Sequence, residues 1–130
     1  MSYLLIGLTI FLCSISIIYR GIATLKYVPY LLGIESKRTF LTRHLNFAYG
    51  DFYDTDSYFS QTMTPTDKVL LIGFHNLYYV DFPFVDSSFA RPSDNYTYVA
   101  TQSSDLPQKF SSWRKVYYNK ITDVSLYHHD

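Results

Sequence analysis

Cysteine is almost missing from this chain of 130 residues, and the one present, Cys13, lies inside an apolar stretch. That excludes a disulfide framework and a thiolate metal site, and leaves the redox compartment undecided. Glycine is scarce as well, with five residues, and Gly73 stands alone instead of within a GxGxxG pattern. With no glycine-rich phosphate loop, no nucleophile elbow and no zinc signature, a nucleotide site is excluded from the reading. An excess of charge is also lacking, since eleven basic and eleven acidic residues cancel. The overall balance therefore names no polyanionic partner such as nucleic acid. No internal repeat or low-complexity tract is present.

What the chain does have begins at its first residues. Ser2 to Tyr19, SYLLIGLTIFLCSISIIY, runs for eighteen residues without a charge and is stopped by Arg20. As a helix it would rise about 27 Å, close to the ~30 Å hydrocarbon thickness of a bilayer. A buried core helix and a cleaved signal peptide are the alternatives. A signal peptide calls for a basic leading region and a small-x-small cleavage site, and the stretch lacks a convincing form of either. The reading is a retained transmembrane helix over 1–20, a juxtamembrane interfacial segment over 21–35, and one α/β domain over 36–130. About 110 residues outside the span suffice for a single small core.

Basic residues gather near the membrane end. Arg20, Lys26, Lys37, Arg38 and Arg43 precede a stretch whose charges are Asp51, Asp54, Asp56 and Asp67, up to Lys68. Such a cluster suits anionic headgroups or a lipid phosphate, at roughly 1 kcal/mol per basic residue near the surface. An ordinary solvated helix face reads equally well. Taken alone, the charges place the C-terminal side in the cytoplasm. Fourteen tyrosines and ten phenylalanines favour strands, interfaces and membrane boundaries without naming a ligand.

Along the chain, GIATLKYVPYLLGI with Pro29 suits a short interfacial helix ended by Gly33. Ser36 is a candidate N-cap for a helix carrying Phe40, Leu41 and Leu45 at helical spacing. A further helical turn is expected through Phe52 to Phe59, and QTMTPTD, 61–67, breaks the pattern. The apolar run Lys68 to Phe74 is the expected centre of a sheet. The tract 75–92 reads as an irregular loop or broken helix. Tyr96 to Thr101, Val116 to Tyr118 and Val124 to Tyr127 complete a partly parallel sheet of three or four strands with covering helices. A short helix is expected over 105–110, capped by Ser104 or Asp105 with Pro107 in its first turn.

The strongest local constellation is His75 to Asp81, which follows a buried strand where α/β sheets place ligands. His75 and Asp81 offer a base and an acid, with Tyr78 beside them, and packing over the sheet is the plainer alternative. His44 reads as a polar surface or capping residue. Asp51, Asp54 and Asp56 lack the glycine and distal glutamate of a calcium loop, so a solvated acidic helix start is preferred. His128, His129 and Asp130 fall on a strand end, where adjacent histidines point to opposite faces. Asn95-Tyr96-Thr97 meets the glycosylation sequon, a pattern short enough to arise by chance.

The linear order itself resembles a known family. An apolar helix is followed by YLLGIESKRTFLTRHLNFAYGDF, a threonine and proline break, DKVLLIGFHNLYYVDFPF, YTYVAT and VSLYHH. Over nearly the whole chain this resembles the C-terminal end of multi-spanning glycosyltransferases that use polyprenyl-phosphate sugars, similar to protein O-mannosyltransferases and bacterial aminoarabinose transferases. The resemblance implies an extracytoplasmic cap over a membrane bundle, which overrides the charge count. It also implies that the catalytic aspartate, and a divalent metal where the parent enzyme uses one, lie in loops upstream of this chain. No catalytic, cofactor or metal residue is therefore expected here, and the chain is expected to be a terminal piece that is not catalytic alone. Membrane lipid is the expected partner, with the polyprenyl-phosphate sugar met through the parent enzyme. On charge position alone, Lys37, Arg38 and Arg43 would help hold the lipid phosphate, and His75, Tyr78 and Asp81 are the remaining candidate contact residues. The alternative function is a single-pass, membrane-anchored interaction or sensor domain.

Overall fold

A computed structural model describes residues 2–129, which divide into two compact units between Phe40 and Leu41. The first unit is dominated by α1, Ser2–Thr24, which continues past Arg20. Every residue from Tyr3 to Thr24 is exposed. A chain in water buries such a surface, so this is the one helix among the described residues long and apolar enough to cross a membrane. Three of its hydroxyls are satisfied within the helix. Thr9, Ser14 and Thr24 each donate a hydroxyl hydrogen bond to the carbonyl four residues earlier, at 2.8 to 2.9 Å. Back-bonding of this kind spares these three hydroxyls the need for water.

A 3-10 turn over Leu25–Tyr27 leads into α2, Val28–Leu31, with Pro29 in its opening turn. Gly33, at φ 69°, ends it as expected, and the amides of Ile34 and Glu35 return to the Pro29 carbonyl. Phe40 packs on Tyr27 and Tyr30, with centroids 5.5 and 5.4 Å apart. Ser36 caps α3, Lys37–His44, by accepting from the Thr39 amide at 3.1 Å.

The second unit is built on a five-stranded mixed sheet, one strand more than the upper expectation. Its strands are β1 (Val69–Ile72), β2 (Phe84–Asp86), β3 (Tyr98–Gln102), β4 (Arg114–Asn119) and β5 (Val124–His128), in the order β2-β1-β3-β5-β4. β1 runs parallel to β2 and β3, whereas β5 is antiparallel to both β3 and β4. The unexpected strand is β2. It occupies three residues after Pro83 at a sheet edge, where a missing amide is tolerated. The Asp86 carboxylate ends it by accepting from the Ser88 amide at 2.7 Å.

Side-chain alternation gives the sheet two faces. Val69, Leu71, Ala100 and Leu126 project to one, under Phe52, Phe59, Phe74 and Phe82. The rings of Phe59 and Phe82 stack at 5.2 Å, and Phe52 meets Phe59 edge-on at 5.3 Å. Leu70 and Val99 project to the other face and meet Phe110, with Trp113 and Tyr127 at its margin.

Two helical expectations are corrected. Between Phe52 and Ser57 the chain is non-helical, and α4 covers Tyr58–Thr62. Aspartates cause the shift. Asp54 accepts from the amide and hydroxyl of Ser60 at 2.9 and 2.7 Å, while Asp56 accepts from the Tyr58 amide at 3.2 Å. These bonds favour a turn over continuous helix. In place of a helix over 105–110 there is a 3-10 turn, Gln108–Phe110, with Pro107 extended before it at ψ 144°. A residue preceding proline is pushed from the helical region, so Leu106 cannot start a helix.

One buried side chain ties the unit together. Gln102, 0% exposed, donates from Nε2 to the carbonyls of Asp51 at 2.8 Å, Thr122 at 3.0 Å and Phe47 at 3.2 Å. Gln102→Leu keeps the volume and removes the donors. The expected loss is about 2 to 4 kcal/mol of unfolding free energy, read as a lower denaturant midpoint for the full chain in detergent micelles. A loss below about 1 kcal/mol would refute the structural role assigned to this amide.

Candidate functional site

The loop that leaves β1 carries the residues singled out from sequence. Its entry is fixed by backbone. The His75 amide donates to the Gly50 carbonyl at 2.9 Å, and Asp51 and Asn76 form a parallel bridge. Gly50, at φ 101°, cannot be anything larger, because a Cβ there would lie 2.7 Å from the Gly73 carbonyl oxygen. The exposed His75 ring faces Tyr49 with centroids 5.4 Å apart. Tyr78 is 83% exposed and meets Tyr79 edge-on at 4.9 Å, and Tyr79 in turn meets Tyr53. Asp81 lies elsewhere, on the rim of a 480 Å³ cavity formed with Met63, Pro65 and Phe82. Among the described residues no hydrogen bond joins His75 to Asp81.

Lys37, Arg38 and Arg43 are all exposed on α3. At about 100° per residue, their positions fall about 100 to 140° apart around the helix axis. They form a dispersed cationic surface. His44 ends the same helix and is exposed.

The aspartates at 51, 54 and 56 are fasteners. Asp51 accepts from the Asn46 amide at 2.7 Å, Asp54 holds Ser60, and Asp56 accepts from the Tyr117 hydroxyl at 2.8 and 3.0 Å. Asn119 donates to Asp56 at 3.2 Å, to Thr55 at 2.9 Å and to Tyr117 at 2.9 Å. Protein donors thus occupy at least one oxygen of each carboxylate. Among the described residues no group of three potential ligands could hold a metal ion. The expected acidic helix start is therefore replaced by a stapled turn. At the C-terminus, His128 packs on Tyr98 and His129 on Trp113, while Asp130 lies outside the described residues.

A cavity that sequence reasoning missed opens at the carboxyl end of β3. Its volume is 470 Å³, and Thr101, Ser103, Ser104 and Ser125 supply hydroxyls, with Lys115, Tyr118, Asp123 and Tyr127 also in its lining. Ser103 and Asp123 both adopt left-handed backbone, at φ 46° and 53°, and the Ser103 amide donates to the Asp123 carbonyl at 3.3 Å. Strain of this kind gathers at ligand sites. The Tyr118 hydroxyl donates to Asp123 at 3.1 Å, and that bond, aided by burial, raises the phenol's pKa. Gly73 allows the wall to close. A Cβ there would meet the Gln102 carbonyl oxygen and the Ser104 hydroxyl, at φ 82°. No sequence motif announces this cavity.

No protein-family model, curated protein or solved structure matches this chain.

The Tyr117 staple yields a pH dependence. Burial pushes the Tyr117 phenol well above its usual value of 10.0, the Asp56 carboxylate adding to the rise while Asn119 opposes it. The folded state thus holds its proton more tightly than the unfolded chain. That contribution is complete below about pH 10 and declines above it, as the unfolded chain ionises first. Between pH 9 and 11 the denaturant midpoint is expected to fall less in Tyr117→Phe than in the parent chain. Parallel declines would remove Tyr117 as the source.

Proposed function

We propose that this chain is the extracytoplasmic C-terminal cap of a membrane glycosyltransferase that draws its sugar from a polyprenyl phosphate. The carrying observation is a fully exposed apolar helix followed along the chain by a small mixed α/β unit. The aromatic loop after β1 and the cationic surface of α3 support the same reading. Lys37, Arg38 and Arg43 would meet lipid phosphate as a dispersed surface, while Tyr78 and its neighbours would contact an acceptor. The chemistry of the parent would be displacement at the anomeric carbon, with an acidic group activating the acceptor hydroxyl and polyprenyl phosphate departing. The role of this chain would be scaffold and acceptor contact, with the reacting groups supplied by other membrane segments.

The deciding measurement is the reading frame upstream of Met1 in the source DNA. The expected result is an open frame encoding further apolar spans and an early loop bearing an acidic residue. An in-frame stop directly before Met1 would overturn the proposal. Sidedness is checked separately. With Cys13 replaced by serine and Ser112 by cysteine, a membrane-impermeant maleimide is expected to label intact cells, and labelling restricted to lysed cells would refute the extracytoplasmic placement.

A further inference from the structure

We infer that the joined loops 47–50 and 75–80 form a docking tip for the surface of a lipid bilayer, with Tyr49 and Tyr78 at the level of the headgroups. Backbone holds the two loops together. The Gly50 carbonyl accepts from the amides of His75 and Asn76 at 2.9 and 3.3 Å, and the Phe52 amide donates to the Asn76 carbonyl at 3.4 Å. The second loop is also pinned from within. Leu77 and Val80 pack against the phenylalanine core, and the Tyr78 amide donates to Asn76 Oδ1 at 3.2 Å. Between these anchors Tyr78 is left 83% exposed, and Tyr49 is 68% exposed. Neither phenol hydroxyl has a hydrogen-bond partner among the described residues. A single exposed aromatic side chain is ordinary. Two exposed tyrosines and the exposed His75 imidazole on loops tied to each other are a patch that the fold presents.

Composition decides what covers it. Phe47 to Gly50 and His75 to Val80 contain no Asp, Glu, Lys or Arg. The flanking carboxylates are otherwise engaged, Asp51 with the Asn46 amide and Asp81 on a separate cavity. A tyrosine with an apolar ring and a free hydroxyl suits the boundary between acyl chains and headgroups, where one end is dry and the other wet.

The chain supplies the bilayer itself, since α1 is exposed, apolar and long enough to cross one. Tyr49 follows Phe40, the last residue of the unit that contains α1, by nine residues. Arg43, exposed near the end of α3, comes between them and adds a positive charge suited to anionic headgroups. The inference rests on the membrane reading of α1 and is independent of the transferase. Where the transferase reading holds, an acceptor that meets Tyr78 does so at the membrane surface.

The test uses the full chain reconstituted into vesicles of phosphatidylcholine and phosphatidylglycerol. Trp113→Phe removes the native indole, and one tryptophan is returned at a chosen position. Phospholipids brominated near the headgroup or at the chain ends then report its depth by quenching. Phe11→Trp, near the middle of α1, checks the anchor and is expected to lose emission to chain-end bromine. Tyr78→Trp and Tyr49→Trp are expected to lose emission to bromine near the headgroup, and to emit at shorter wavelength than Tyr118→Trp. That third site, half-exposed on β4, is expected to be quenched by neither lipid. Quenching at Phe11→Trp, with Tyr78→Trp or Tyr49→Trp as unquenched as Tyr118→Trp, would overturn the inference and leave the anchor standing. Such a tip would be open to solvent or to a protein partner. An unquenched Phe11→Trp would overturn both. Docking found together with a stop codon before Met1 would retain the tip and reject the transferase.

Discussion

The second unit depends on a single buried amide. Gln102 presents two N–H groups to three carbonyls, from Phe47, Asp51 and Thr122, so one hydrogen is shared. Its own oxygen is buried without a partner among the described residues. Reversing the amide would turn that oxygen against three carbonyls, so the orientation is fixed by repulsion as well as by attraction. Through it the last residue of β3 holds the loop before β1 and the turn between β4 and β5. The sheet alone would not position either. Close packing of backbone completes the arrangement, since Gly50 lies against Gly73 and Gly73 against Gln102.

The two faces of the sheet are put to different uses. One is closed by phenylalanines and carries most of the apolar core. The other is apolar near Leu70, Val99 and Phe110, then turns polar at Thr101 and Ser125. That change occurs along β3 itself, within a strand whose residues are almost all buried. Both hydroxyls open onto the polar cavity beyond the end of β3, where water reaches them. The adjoining backbone at Ser103 and Asp123 adds strain at the same spot.

Much of this architecture can be read from the residues. The uncharged stretch to Tyr19, the run at Val69 to Ile72, the Ser36 cap and the Gly33 stop all act through local chemistry, and each expresses the periodicity or turn preference its sequence carries. β2 was not legible, because three residues between Pro83 and Asp86 become a strand only through pairing with β1. The region from Phe52 to Ser57 misleads for a related reason. Its apolar spacing suggests helix, whereas the carboxylates of Asp54 and Asp56 compete for the backbone. The cavity was the least legible of all. Lys115 and Tyr118 look like opposite faces until the bulge is known, and Thr101, Ser125 and Asp123 are brought together by tertiary pairing alone.

The long reach of the Gln102 bonds bears on the order of folding. Its partners at Phe47 and Asp51 lie 55 and 51 residues earlier in the chain. The hairpin of β4 and β5 closes over a few residues, whereas these two bonds close loops of more than fifty residues. Loop closure over such distances costs entropy that local turns avoid. Docking of the 47–51 loop is thus a late event, and before it the carbonyls of that loop are exchanged among waters. During that interval the phenylalanine-lined face is uncovered at the Phe52 side, which makes this the stage of synthesis at which a nascent chain is most prone to aggregate.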